Sequence, residues 1–134
     1  MANIPYYQQK DIENIKKLRE MMKELPPFCT EFFRGIEPRT STRTRIAYAY
    51  DLSVFFDFLK KENPVFAKME RMDFKLEQLD QITVTDLEEY MEYLKYRFNE
   101  QNHEIMNQER GIMRKISSLK SFYNYFFRTE KLAT

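Results

Sequence analysis

The sequence predicts an all-α domain, and two observations carry that expectation. The chain has 134 residues with only two glycines and five prolines, so few positions interrupt a helix. Its apolar residues recur at three- and four-residue intervals through four long segments, the spacing that gathers one stripe of a helix. A chain of this length fits one folding unit with its own core, and no internal repeat, low-complexity stretch or second unit breaks the pattern.

The elements follow in order. A first helix is predicted over 8–25, where Ile12, Ile15, Leu18, Met22 and Leu25 keep helical spacing. Pro26-Pro27 ends it, since proline lacks an amide hydrogen and restrains the residue before it. A short apolar turn, Phe28 to Ile36, follows with Gly35 as its stop, and Pro38 resets the chain. A second main helix is predicted over 41–61, with Tyr48, Leu52, Phe55, Phe56 and Leu59 as its stripe and Thr40, Ser41 and Thr42 all available as caps. Asn63-Pro64 closes it and opens a short helix over 65–71, Asn63 capping and Pro64 at the first position. Residues 72–83 read as irregular, anchored by Phe74, Leu76, Leu79 and Ile82.

The third main helix opens on Thr85-Asp-Leu-Glu88, a capping-box pattern with acids in the first turn. Leu87, Tyr90, Met91, Leu94 and Phe98 form its stripe, and Glu88, Glu89 and Glu92 lie toward the other side. A polar link, Asn99 to Asn107, leads to a last helix over 108–128 with Ile112, Ile116, Leu119, Tyr123 and Phe126 inward.

Charge carries the functional signal. The total is only +1, yet it is unevenly placed. Residues 1–38 hold six cations and six anions, and 39–61 hold five cations and two anions. Residues 62–109 hold five cations and twelve anions, and 110–134 hold six cations and one anion. Two basic segments flank an acidic one, and if the fold brings them together they make a cationic face suited to a polyanion.

Each basic segment has a chemistry of its own. At about 100° per residue, the last helix turns Arg110, Arg114, Ser117 and Ser121 away from its apolar stripe, with Ser118 at the edge. Small residues let a helix approach a partner closely. Arg and Ser donate to phosphate oxygens, and Arg also reads guanine in the major groove. A solvated polar face is the competing reading, but such faces carry mixed Glu–Lys pairs, and no acid lies between Glu109 and Glu130. At the start of the second main helix, Arg39, Arg43 and Arg45 precede any acid before Asp51. Cations at a helix N-terminus are unfavourable by roughly 0.3–1 kcal/mol each. A docked anion reverses that sign, because free amide hydrogens, arginines and the hydroxyls of Thr40, Ser41, Thr42 and Thr44 converge on it.

Enzyme signals are weak. His103 is the single histidine and sits in the polar link, where nothing at metal-ligand or triad spacing accompanies it. Two glycines cannot build a phosphate-binding loop. Cys29, among Pro27, Phe28, Phe32 and Phe33, reads as a buried small hydrophobe. The expectation is a non-catalytic binding module with no cofactor and no metal. One cysteine excludes an internal disulfide and suits a reducing compartment. No apolar run approaches the ~20 residues of a membrane span, and the N-terminus lacks a secretory signal. A cytoplasmic protein without membrane contact follows.

Three stretches resemble a known family. Thr44-Arg-Ile-Ala-Tyr48-Ala-Tyr-Asp51-Leu52 with Phe55, Phe58 and Leu59 resembles the opening helix of the core-binding domain of tyrosine recombinases, the phage integrase family. Ile82-Thr-Val-Thr-Asp86-Leu87 with Tyr90 and Leu94 resembles its next helix. Ile112-Met-Arg114-Lys-Ile-Ser117-Ser118-Leu119-Lys120-Ser-Phe122-Tyr123 with Tyr125 and Phe126 resembles its groove-facing helix. The likeness runs in order from about Arg39 to Leu132. One departure is Gly111, where the family often starts its helix with Thr or Ser.

The resemblance implies an orthogonal, SAM-like bundle of four main helices at 39–134, with residues 1–38 as an added N-terminal helical extension. It implies half of a clamp on double-stranded DNA, working as a homo-multimer with a C-terminal catalytic domain of the same parent that this chain does not contain. No tyrosine here inherits the nucleophile's role. Arg43, Thr44, Arg45, Arg110, Arg114 and Lys120 are then expected to contact phosphates or base edges, with Ser117, Ser118 and Ser121 permitting close approach. The alternative function is a helical protein-interaction module without DNA contact, in which Ile12, Ile15, Leu18 and Met22 on a mobile first helix dock a partner subunit.

Overall fold

Six α-helices and one short hairpin make up the regular structure of the computed structural model, which describes residues 5–99, 101 and 103–129. The helices are α1 (Tyr6–Lys23), α2 (Cys29–Ile36), α3 (Thr42–Glu62), α4 (Pro64–Ala67), α5 (Val84–Lys95) and α6 (Glu109–Arg128). Strands β1 (Arg97–Phe98) and β2 (Glu104–Ile105) pair antiparallel, Arg97 opposite Ile105. Turns of 3-10 helix occupy Glu37–Arg39, Arg71–Asp73 and Leu76–Gln81. This is an all-α bundle, as the composition predicts. The segment expected to run to 134 ends, among the described residues, at 129.

Aromatic rings hold the centre. Phe55 and Phe56 on α3, Phe32 on α2, Tyr90 on α5 and Phe122 and Phe126 on α6 are all buried. Phe32 meets Phe122 at 5.2 Å, Phe122 meets Phe126 at 5.0 Å and Phe55 meets Tyr90 at 5.1 Å, each edge-on. Such contacts add roughly 0.5–1.5 kcal/mol beyond the area they bury. The predicted stripes of α3 and α6 supply Phe55, Phe56 and Phe126, whereas Phe122, outside the expected α6 stripe, is fully buried at the centre, and α3 and α6 lie against each other across the core.

Local rules set the ends. Ser41 caps α3, its Oγ accepting from the Thr44 amide at 3.1 Å. Asn63 caps α4 by accepting from Val65 N–H at 3.0 Å. The capping box of α5 lies at Thr83 and Asp86, two residues before the Thr85–Glu88 pattern. Thr83 Oγ1 accepts from the Asp86 amide at 3.1 Å and Asp86 Oδ2 from the Thr83 amide at 2.9 Å. A capping box needs Ser or Thr and, three residues on, an acceptor that reaches back, and Asp meets the second need here.

Gly35 does not stop α2 but lies inside it. A Cβ there would sit 2.2 Å from Cε2 of Tyr125, so the glycine is present because the α6 ring lies on the α2 backbone. Phe98 is not on the α5 stripe: the helix ends at Lys95, and Phe98 lies on β1, exposed. The expected polar link folds as a hairpin turn, with the His103 amide donating to Asn99 Oδ1 at 2.9 Å. Residues 72–83 are partly helical, through the Leu76–Gln81 turn.

The first helix is not a loose arm. α1 packs along α3 with Leu18 buried, and Thr42 Oγ1 donates to Asp11 Oδ1 at 2.7 Å. Cys29 is 1% exposed, and burial pushes its thiol pKa up. No helix of the described residues is long and apolar enough to cross a membrane, and no metal-holding cluster of His, Cys, Asp and Glu occurs among them.

Candidate nucleic-acid interface

The two basic segments meet through Asp51, in the middle of α3. Its side chain is 2% exposed, and both carboxylate oxygens are taken by α6. Ser118 Oγ donates to Oδ2 at 2.6 Å and Arg114 Nη2 to Oδ1 at 2.9 Å. Lys115 Nζ lies 3.7 Å from the same Oδ1 and 5.0 Å from the Tyr50 ring centroid. A buried carboxylate is tolerated only when paired and hydrogen-bonded, and three side chains on two successive turns of one partner helix meet that need. Burial pulls the Lys115 pKa below its ordinary value, and Asp51 pulls it part of the way back.

Beside this latch a groove of about 240 Å³ runs between α3 and α6, lined by Thr44, Ala47, Tyr48, Arg114, Ser117 and Ser121 among others. Its exposed walls are small: Thr44 and Ala47 on α3, Ser117 on α6. On α6, Arg110, Arg114, Ser117 and Lys120 are exposed and Ser121 is partly so. Glu109 is the only acid on that helix. Arg43 is exposed on the first turn of α3, one turn before Ala47. Helix α6 starts at Glu109 despite Gly111, so Arg110 sits in its first turn.

Two of the nine expected residues are turned inward. Arg45 is 8% exposed. Its Nη1 donates to the carbonyls of Glu37 at 3.1 Å and Thr40 at 2.7 Å, and to Thr40 Oγ1 at 3.2 Å. It therefore ties the start of α3 to the 3-10 turn before it. Ser118 is 7% exposed and is occupied by Asp51. Proximity to other cations in sequence could not reveal this, because Arg43 and Arg45 stand about 200° apart around the helix.

The segment charges also include cations that never reach a surface patch. Lys115 and Arg97 are buried. Arg97 donates to Asn107 Oδ1 at 2.9 Å and to the Tyr50 hydroxyl at 3.4 Å. Lys61 pairs with Asp57 at 3.1 Å, and Lys60 donates to the carbonyls of Ala67 and Met69. Among the described residues, the exposed cations of the two basic segments are Arg39 just before α3, Arg43 in its first turn, Lys61 at its end, and Arg110, Arg114, Lys120 and Arg128 on α6. Asp51 and Lys115 carry the interface geometry and were not among the expected residues. The available signal was an acid placed directly before Leu52 within the apolar stripe of α3, a position that demands a buried partner.

The all-α bundle, with its acid-poor α6 latched beside α3, is a SAM-like domain. Residues 30–130 match the family model described as phage integrase, N-terminal SAM-like domain, and the chain belongs to that family. The match starts within α2 and leaves α1 outside. The chain is similar to "Tyrosine recombinase XerC" of Caldanaerobacter subterraneus subsp. tengcongensis, 36% identical over 113 residues, covering 80% of this chain and 31% of that protein. It is also similar to "Tyrosine recombinase XerC" of Anoxybacillus flavithermus, 29% identical over 99 residues, covering 74% of this chain and 26% of the relative. The chain thus spans less than a third of the curated relatives it matches. No solved structure matches it.

Proposed function

We propose that this chain is the DNA-holding module of a site-specific tyrosine recombinase. The observation that carries the reading is the Asp51 latch, which sets α3 and α6 side by side with a groove of small side chains between them. Arg43, Arg110 and Lys120 neutralise phosphates, Arg114 meets the duplex beside them, and Thr44, Ser117 and Ser121 let the two helices come close to the duplex. Arg45 and Ser118 support this surface from behind and touch no DNA. The acids of α5, Glu88, Glu89 and Glu92, face solvent away from the duplex. Strand exchange belongs to a catalytic domain of the same parent protein, and the parent assembles as a multimer on its site. The names of the two relatives favour this reading over one in which the bundle only joins protein subunits.

The test is charge reversal at Arg43 and Arg110. Each sits in the first turn of a helix, where an acid complements the helix dipole by roughly 0.3–1 kcal/mol. The double variant R43E/R110E should melt no lower than the wild type while its duplex affinity falls at least tenfold at low salt. Unchanged affinity in a folded variant overturns the proposal. Loss of self-association with intact DNA binding favours the subunit-joining reading instead.

A further inference from the structure

We infer that Asp51 is a positioning residue that turns Arg114 from a mobile phosphate neutraliser into a reader of a single guanine. The inference rests on the DNA-holding reading and adds a source of sequence discrimination to it. An unrestrained arginine on a helix surface samples many rotamers and follows the nearest phosphate, which carries no sequence information. Reading a base edge requires the guanidinium plane to be held, because guanine presents two acceptors in a fixed spacing. Arg114 is held: Nη2 donates to Asp51 Oδ1 at 2.9 Å while its side chain stays 58% exposed. One of five N–H donors is used by this bond, and the remainder of the fork is left for a partner.

The anchor itself is rigid. Ser118 fixes the other Asp51 oxygen at 2.6 Å, and Lys115 stands beside the first at 3.7 Å, so the carboxylate cannot turn to follow Arg114 outward. The neighbours are small where the base pair has to enter: Ala47 and Thr44 across the groove, Ser117 and Ser121 along α6. Among the described residues, none of the exposed arginines Arg43, Arg110 and Arg128 has a carboxylate anchor of this kind.

Charge alone predicts the opposite outcome, which makes the inference testable. Asp51 is an anion set among the cations that meet DNA, so its neutralisation should tighten binding to any duplex. Positioning predicts lost discrimination instead. The probe is a randomised duplex library about two helical turns long, selected on the 134-residue chain, its D51N and R114K variants and the double variant, with thermal melts alongside. The wild type should enrich a motif with one guanine preferred about 5- to 150-fold, the range of one bidentate contact. D51N and R114K should each lose that preference and no other, and the double variant should lose no more than either single one. Because R114K keeps the charge, its salt dependence should stay that of the wild type.

A guanine preference that survives D51N or R114K overturns the inference and leaves the DNA-holding reading standing. A wild type that retains no duplex overturns both. If D51N fails to fold, S118A replaces it, removing one anchor of the carboxylate and keeping its charge; a partial loss at the same base supports the inference, and an unchanged preference overturns it.

Discussion

Arg43 and Arg45 lie two residues apart on α3, the first exposed and the second buried, so paired substitutions separate folding from binding. Replacing each by Met keeps the apolar stem and removes only the guanidinium. In R45M the chain loses the bonds from Nη1 to the Glu37 and Thr40 carbonyls and to Thr40 Oγ1. Removal of a charged donor from such carbonyls costs about 2–3 kcal/mol. For a domain between the size classes that shift by about 2–4 and 4–8 °C per kcal/mol, this lowers the melting temperature by about 6–12 °C. R43M removes an exposed group and should change stability by no more than about 0.5 kcal/mol. Binding should divide the other way. The logarithmic salt dependence of duplex affinity, measured by fluorescence anisotropy, should become shallower by about one unit for R43M and stay as it was for folded R45M. Calorimetric melts of both variants complete the comparison. An R45M protein that melts with the wild type and loses a unit of salt dependence would refute the placement of Arg45 as an internal tie.

Three further outcomes follow from the packing. Gly35→Ala should destabilise the chain by about 1–3 kcal/mol, because the Tyr125 ring it meets is pinned against Phe32 and Phe126 at 5.7 and 5.1 Å; adding Tyr125→Ala should restore part of the loss in a thermal melt. Stability should fall as pH rises above about 10. Burial raises the pKa of Tyr93 to about 12 and those of Tyr90 and Tyr123 further, so the unfolded state binds fewer protons there than the folded one. The lowered Lys115 pKa acts in the other direction, but three phenols outweigh one amine, and tyrosinate absorbance should rise together with unfolding. Cys29 should resist a thiol reagent in the folded protein and react once denaturant unfolds it, since it is 1% exposed among core side chains.

The helices were legible in the sequence wherever an apolar stripe met a cap. Leu52, Phe55, Phe56 and Leu59 repeat at the period of α3 and are all buried, and Ser41 stood among the three expected caps. What depended on contacts between distant residues was not legible. Gly35 looked like a helix stop because glycine at a helix end is common, whereas the reason for it, the Tyr125 ring, is 90 residues away. Short β-pairing at Arg97–Phe98 has no alternation to announce it. The same division runs through the interface. Arg110, Arg114, Ser117 and Ser121 share an outer face because helical geometry alone places them there. Arg45 and Ser118 were expected outside and are buried, since each satisfies a polar group contributed by another element. Asp51, which gathers three α6 side chains, carries no local sign of its partners beyond being an acid in an apolar stripe.

The most direct measurement is the affinity of the chain for a DNA duplex across a series of salt concentrations. With Arg43, Arg110 and Lys120 each releasing counterions from one phosphate, log K should fall against log salt with a slope of about −2.7, and R43E/R110E should bring it to about −1. Affinity that is absent at low salt, or that is present and insensitive to salt, would contradict a DNA surface formed by α3 and α6.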